Sequence, residues 1–369
     1  MRVKVDAIYY YKNIFKGEIN VRGLSLFSGA GIGETYLNEC GIEICTANEI
    51  IKRRANLYRS LYPKCNMICG DITNKEIFNS VITSAKGVDF IIASPPCQGM
   101  SVAGKHRNED SMLTDSRNYL INYVFQAIDE LHPKYILIEN VPKLLKIKLP
   151  FNGEMKTVLE ILNSKYKKNY IIEGKIVDAS DYGVPQTRLR AIIKMHPINT
   201  SWPWPKPIEK KITVREAIGN LPSLEAGESS KIKWHFARQH DPRHILWMKH
   251  TPTGCSAFSN KIYFPKKKDG TRIKGYESSY RRIKWDEPAP TITIRNDAIS
   301  SQRNVHPGNL LEDGTYSDAR VLTPYELMIL DSLPANWPIP DDTPELLIRQ
   351  VIGESIPPLM IKRIVGELQ

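Results

Sequence analysis

The sequence predicts an α/β fold: a doubly wound, mostly parallel sheet followed by a second, smaller irregular domain. Three observations predict it. From Val21 to His196 short apolar runs alternate with amphipathic stretches, the pattern of repeated βαβ units. The residues with the richest chemistry stand just after strand candidates, where open parallel sheets bind ligands. From about residue 200 to residue 340 the periodicity fades, and turn residues and positive charge accumulate.

The elements follow in chain order. Residues 1–21 are basic and aromatic without periodicity and read as an N-terminal extension. "GLSLF" is a strand, followed by glycines and then a helix through Thr35–Glu39. "IEICTANEI" is a second strand, leading into helical spacing at Lys52–Tyr62. "VDFIIASPP" is a third strand, ended by Pro95 and Pro96, which remove backbone donors. "YLINYVFQAIDELH" carries Tyr119, Tyr123, Ala127 and Leu131 at helical spacing. "KYILIENV" is a fourth strand, and "YIIEGKIVDAS" and "RLRAIIKM" are two more. "SWPWPKP" reads as a connector. The expected division is 1–21, a catalytic and cofactor-binding body over 22–200, a second domain over 201–340, and a C-terminal helix within 341–369 that returns to the body.

Composition narrows the function. The chain has 369 residues, 51 Lys+Arg against 40 Asp+Glu and a formal net charge of +11. The 54 residues from Lys231 to Lys284 hold 14 Lys+Arg and 3 Asp+Glu, so the remainder is neutral. Charge concentrated in this way points to a polyanion, above all nucleic acid. Lysines and arginines interrupt any signal-peptide core, and no apolar run is long enough to span a bilayer, so a cytoplasmic setting without membrane contact is expected. In that reducing setting the six cysteines (Cys40, Cys45, Cys65, Cys69, Cys97 and Cys255) are not expected to form disulfides, and without a CxxC pair no zinc site is expected.

Six groups at or beside strand ends carry chemistry. Ser28-Gly29-Ala30-Gly31-Ile32-Gly33 follows the first strand, and glycines there allow a tight turn and close approach of a ligand. Glu49 ends the next strand, where a carboxylate can hold the two hydroxyls of a ribose. The plain alternative is a tight turn beside a surface acid. Asp71, after a further apolar stretch, could read an adenine or its ribose. Cys97 follows the proline pair and could act as a nucleophile if its thiolate is favoured. Glu139 ends the fourth strand and would face the same crevice. Gln186, Arg188 and Arg190 alternate on an extended segment, so they share one face and form a polar, cationic row.

LFSGAGIG, ANE, GDI, PPCQGMS, ENV and QTRLR occur here in an order and spacing that resembles the DNA (cytosine-5) methyltransferases. "TVREAIGNLP", "EPAPTITIR" and "GESIPP" extend the likeness over nearly the whole chain past Val21. The resemblance implies the Rossmann-like fold of S-adenosylmethionine-dependent methyltransferases. It implies that Cys97 attacks cytosine carbon 6, that Glu139 holds or protonates ring nitrogen 3, and that Arg188 contacts the carbonyl oxygen. Gln186 and Arg190 would support that arrangement. Phe27, Gly29, Gly31, Glu49 with Ile50, Asp71 with Ile72, Pro96, Leu120 and Ser355 would bind the cofactor. Gln98, Ser101 and Arg117 would meet DNA from a closing loop, and Lys231, Lys233, Arg272, Arg281 and Arg282 from the basic segment. Trp234, Trp247, Tyr276, Tyr280 and Trp285 fall in the same region and could partly be core.

Four positions depart from the family pattern. Ser25 stands where Asp is frequent, Ile32 replaces a glycine, Ile50 stands where an aromatic can stack, and Glu354 where Asn is frequent. The resemblance further implies double-stranded DNA as partner, base flipping, and a bacterial restriction–modification system with a possible endonuclease counterpart. A monomer near the nucleoid is expected. The competing readings are a tRNA cytosine-5 methyltransferase and a catalytically silent DNA-binding relative. The intact set Cys97, Glu139, Gln186, Arg188 and Arg190 speaks against the silent one.

Overall fold

The computed structural model describes residues 21–96 and 119–368. Cys97, Gln98, Ser101, Arg117 and the N-terminal extension lie outside the described residues.

A seven-stranded sheet in the order β3-β2-β1-β4-β5-β9-β8 organises the first half. Its strands are β1 (Val21–Leu26), β2 (Ile42–Glu49), β3 (Asn66–Cys69), β4 (Phe90–Ala93), β5 (Tyr135–Asn140), β8 (Tyr170–Asp178) and β9 (Leu189–Pro197). The first five run parallel, and β9 pairs antiparallel with both β5 and β8. The sheet is therefore mostly parallel, as the alternation of runs predicts. Helices α1 (Lys52–Leu61), α2 (Lys75–Ser84) and α3 (Ile121–Leu131) make the crossovers.

Register fixes where ligands can sit. Leu26 pairs with Asn48 on one side and Ala93 on the other, and Ala93 pairs with Ile138. The residues that follow these four, Phe27, Glu49, Ser94 and Glu139, thus stand at one level, at the C-terminal ends of their strands. β1 lies between β2 and β4, so the chain order reverses beside it, and a crevice opens at such a switch point.

Several elements differ from the sequence expectation. The helix expected through Thr35–Glu39 is instead two 3-10 turns, Ile32–Glu34 and Leu37–Cys40, each beside a left-handed glycine. Of the stripe Tyr119-Tyr123-Ala127-Leu131 only Ala127 belongs to the buried face of α3, with Ile121, Val124, Phe125 and Ile128; the other three border it. A hairpin of β6 (Lys148–Phe151) and β7 (Glu154–Thr157), followed by α4 (Val158–Tyr166), links β5 to β8. The C-terminal segment is two helices, α8 (Glu345–Glu354) and α9 (Pro358–Val365), because Pro357 and Pro358 stop the first and start the second.

Past β9 the chain has little regular structure: helices α5 (Val214–Ile218), α6 (Pro242–Lys249) and α7 (Pro324–Leu330) joined by turns and isolated bridges. Trp202 of the connector is buried against the sheet-side core with Leu137, Ile192 and Ile361. A second core joins Ile32 and Leu57 to Trp285, Leu327 and Ile352, so α8 ties the irregular region to the glycine turn. Trp247, Tyr280 and Trp285 are core, Trp234 is half-buried and Tyr276 is exposed. A buried ion cluster replaces apolar packing at one point: Arg320 pairs with Asp318 and with Glu326, at 2.8 Å each. Among the described residues, no helix is long and apolar enough to cross a membrane.

Candidate active site

The strand ends enclose a cavity of about 370 Å³. Ser25 to Ala30, Glu49, Ile50, Asp71, Ile72, Pro95, Pro96, Leu120, Glu139, Arg190, Glu354 and Ser355 are among its walls. Its size falls in the small-molecule range. It is much more acidic than an ordinary apolar pocket.

The glycine turn shapes one side. Phe27 adopts φ +59°, a left-handed backbone that is costly for an aromatic residue. Ser94 Oγ donates to the Phe27 carbonyl at 3.0 Å and helps hold it there. Gly29 N donates to Glu49 Oε2 at 2.9 Å, and Ile51 N donates to Glu49 Oε1 at 2.8 Å. Both bonds orient the buried carboxylate and leave further lone pairs directed at the cavity. Gly31 does not line the cavity, contrary to the sequence expectation. Its φ is +74°, and a Cβ there would lie 2.5 Å from the Tyr62 ring and 2.7 Å from that of Tyr58. Gly31 thus lets α1 pack close and acts on the pocket through the turn.

The opposite wall carries the second cluster. Asn140 Nδ2 donates to the Pro95 carbonyl at 2.8 Å and fixes the chain just before Cys97. Glu139 is 6% exposed, and Arg190 Nε lies 2.6 Å from its Oε1. Burial pushes the Glu139 carboxyl up, and Arg190 and then Arg188 oppose that push. Burial prevails, so the protonated acid persists to a higher pH than for an exposed carboxyl.

Burial alternates along the segment 186–190, as the spacing predicts, but its side chains part company. Arg190 reaches Glu139 and the cavity. Arg188, expected against the base, is instead buried with its guanidinium on two carbonyls, Ile292 at 2.8 Å and Gly353 at 3.2 Å. Burial pulls its pKa down to about 9, which leaves it charged at neutral pH. Gln186 is also buried: its Nε2 donates to Asp331 at 3.1 Å, and its Oε1 accepts from Ile292 N at 3.0 Å. Asp331 in turn accepts from Ser355 Oγ at 2.5 Å. Gln186 and Arg188 therefore tie the approach to β9 to the irregular region and to α8, while Arg190 faces the cavity.

Sequence reasoning missed Arg54, Glu34, Asn140 and Asp331 as parts of this arrangement. Asn140 stood within the "ENV" motif at a strand end, which was signal enough. Asp331 and Glu34 sit in short turns where no periodicity marks them.

The basic segment divides. Lys231, Lys261, Lys266, Lys267, Lys268 and Lys274 are exposed. Lys233 pairs with Asp341 at 2.5 Å, and Arg281 donates to the Glu277 carbonyl at 3.3 Å. Arg272 donates to Phe258 O and Asn260 O and stands 3.7 Å over the Phe264 ring. Arg282, expected on DNA, is fully buried and donates to the carbonyls of Met248, His306 and Asp318. It braces the irregular core and has no surface to offer.

Comparison with known proteins agrees with this architecture. A family model described as C-5 cytosine-specific DNA methylase matches residues 21–369. The type II methyltransferase M1.HgaI of Avibacterium volantium is 58% identical over 341 residues, covering 92% of this chain and 95% of that protein. M1.HphI of Haemophilus parahaemolyticus, also a type II methyltransferase, is 28% identical over 338 residues, covering 91% and 83%. Among solved structures, a prophage-encoded DNA modification methyltransferase (E. coli) superposes with TM-score 0.69 at 20% identity, covering 94% of this chain and 98% of that one. A Spodoptera frugiperda DNMT2 mutant follows at TM-score 0.57 and 20% identity, covering 94% and 99%.

Proposed function

The chain belongs to the C-5 cytosine-specific DNA methylases, and from that premise we propose that it moves a methyl group from S-adenosylmethionine to carbon 5 of a cytosine in a specific double-stranded sequence. It would serve as the protective enzyme of a type II restriction–modification system. The observation that carries the reading is the Glu139–Arg190 pair at 2.6 Å, in one cavity with Glu49 and next to the proline pair that leads into Cys97.

The residues fit the cofactor. Glu49 offers an oriented carboxylate for ribose hydroxyls, Asp71 a second acid, and Phe27, Ile50, Ile72 and Leu120 apolar walls for a purine. When bound, the cofactor supplies its methyl as an electrophile.

A ring carbon of cytosine is a poor nucleophile. The Cys97 thiolate adds to carbon 6, and the displaced ring electrons run to nitrogen 3, which takes a proton from Glu139. Arg190 holds the carbonyl oxygen and the Glu139 carboxyl together. Carbon 5 then has enamine character and accepts the methyl. Water takes the carbon 5 proton, the electrons of that C–H bond expel the Cys97 thiolate and restore the ring, and nitrogen 3 returns its proton to Glu139. A base inside a duplex cannot enter such a recess, so the target must swing out. The exposed lysines of 261–274 would hold the phosphates meanwhile.

The test is methyl transfer from labelled cofactor to duplex DNA and to tRNA in parallel. The expected product is 5-methylcytosine in DNA, protecting it from a co-encoded endonuclease. Label confined to tRNA would overturn the reading, and so would label on an exocyclic amino group.

A further inference from the structure

The turn after α7 joins more elements than the end of a helix requires. Asp331 ends that helix and is fully buried. Its Oδ2 accepts from Ser355 Oγ at 2.5 Å, and its Oδ1 accepts from Gln186 Nε2 at 3.1 Å. Ser355 follows α8 and is a wall of the cavity. Gln186 stands four residues before Arg190, which holds Glu139. One carboxylate therefore links a wall of the proposed cofactor cavity to the segment that faces the proposed base.

The next residue makes this turn rigid. Ser332 has φ +64°, a left-handed conformation that a non-glycine residue keeps only where its surroundings impose it. Tyr36 Oη, from just beyond the glycine turn, donates to the Ser332 carbonyl at 3.0 Å. Leu359 N, in the first turn of α9, donates to Ser332 Oγ at 3.2 Å. Gln186, Ser355, Tyr36 and Leu359 thus pin two adjacent residues, and a shift at any one of them is resisted by the other three.

We propose that Asp331 is a positioning residue for methyl transfer: it holds Ser355 and Gln186 in fixed relation, so that the cofactor methyl and carbon 5 of the base meet in line. The inference rests on the function proposed above. Asp331 is not among the cavity walls, so it acts through its two neighbours. Misplacing reacting groups by about 1 Å can cost on the order of 100-fold in rate, which is the scale on which such a brace matters. An asparagine at this position can keep both links. Its oxygen accepts from Gln186, its amide donates to Ser355 Oγ, and the Ser355 hydroxyl turns to the Ile352 carbonyl, already at 2.8 Å. An alanine keeps neither.

Two reactions of the full chain on unmethylated plasmid DNA separate alignment from folding. One is single-turnover methyl transfer at saturating S-adenosylmethionine. The other, without cofactor, is exchange of tritium from carbon 5 of cytosine into water. In the exchange Cys97 adds to carbon 6, carbon 5 takes a proton from water, the hydroxide so formed removes the tritium, and Cys97 leaves. Asp331→Ala should slow methyl transfer about tenfold or more, while exchange and S-adenosylhomocysteine binding stay within about threefold of wild type. Asp331→Asn should bring methyl transfer back to within about threefold of wild type. Equal loss of transfer and exchange in Asp331→Ala would overturn the inference, and so would transfer at the wild-type rate. If Asp331→Ala does not fold, Gln186→Leu and Ser355→Ala supply the reading. Linked through Asp331, their effects on transfer should fall short of multiplying by about twofold or more, and simple multiplication would overturn the link. A wild-type chain that methylates no DNA would instead overturn the function proposed above.

Discussion

Replacing Glu139 by Gln removes a transferable proton and changes little else in shape. The carboxyl is 6% exposed, and its partner Arg190 retains a second acceptor, the Leu189 carbonyl at 2.8 Å. An amide oxygen can still accept from Arg190, so the pocket should hold. The stability cost should stay below the roughly 3–5 kcal/mol of an orphaned buried ion, because Arg190 is 13% exposed and keeps partners. The rate should suffer more. General acid catalysis contributes about 10²–10⁴-fold, so the barrier should rise by roughly 3–5 kcal/mol. Burial keeps the Glu139 proton bound to higher pH. The wild-type rate should therefore fall as pH rises through the raised pKa, and that limb should vanish in Glu139→Gln. Single-turnover methyl transfer to unmethylated plasmid DNA across pH reads both effects. A variant within tenfold of wild type, still with its alkaline limb, would refute the assignment.

Other perturbations separate scaffold from surface. Glu34 is raised from 4.5 to about 7. The folded state keeps a proton that the unfolded chain has released, so its contribution is full below pH 4.5 and is lost as pH rises to 7. Glu34→Gln should flatten that part of the stability–pH curve, by at most about 3 kcal/mol, in denaturant melts at pH 5 and 8. Arg282→Met should lower the melting temperature without changing the salt dependence of DNA binding. Neutralising Lys266, Lys267 and Lys268 should do the reverse, reducing the slope by roughly 0.9 for each phosphate no longer neutralised. Gly31→Ala should cost about 1–3 kcal/mol, because its Cβ would meet Tyr62 at a strained φ; a melt unchanged from wild type would show that the turn can give.

The sheet was legible where strands are buried. β1, β2, β4, β5 and β9 have the apolar runs of a covered sheet, and α1 begins at Lys52 as its spacing indicates. Short or edge elements left weaker marks. β3 is four residues at the sheet edge, and only its last residues adjoin the "GDI" motif. The β6–β7 hairpin did carry a signal, Asn152-Gly153, both with positive φ, a favoured two-residue turn.

The division of labour within 186–190 was not legible. Alternation puts Gln186, Arg188 and Arg190 on one face but cannot say how far each reaches. Arg188 stays inside because carbonyls from residues 292 and 353 converge on it, and those partners are more than 100 residues away in the chain. Arg282 was misplaced for the same reason: composition shows a cation, and only tertiary packing shows the four carbonyls around it. One end of the pocket was visible only as two departures, Ser25 and Glu354. Their partners Glu34 and Arg54 come from a 3-10 turn and from α1, which the sequence alone does not bring together.

The central claim is attack by Cys97 on carbon 6 of a cytosine in DNA. Duplex DNA carrying 5-fluorocytosine at the methylated position tests it most directly, because fluorine cannot leave as the carbon 5 proton does. With cofactor present, the full chain should form a denaturation-resistant protein–DNA adduct, and Cys97→Ser should form none while still binding DNA. An enzyme that methylates ordinary cytosine yet gives no adduct on the fluorinated duplex would contradict the account.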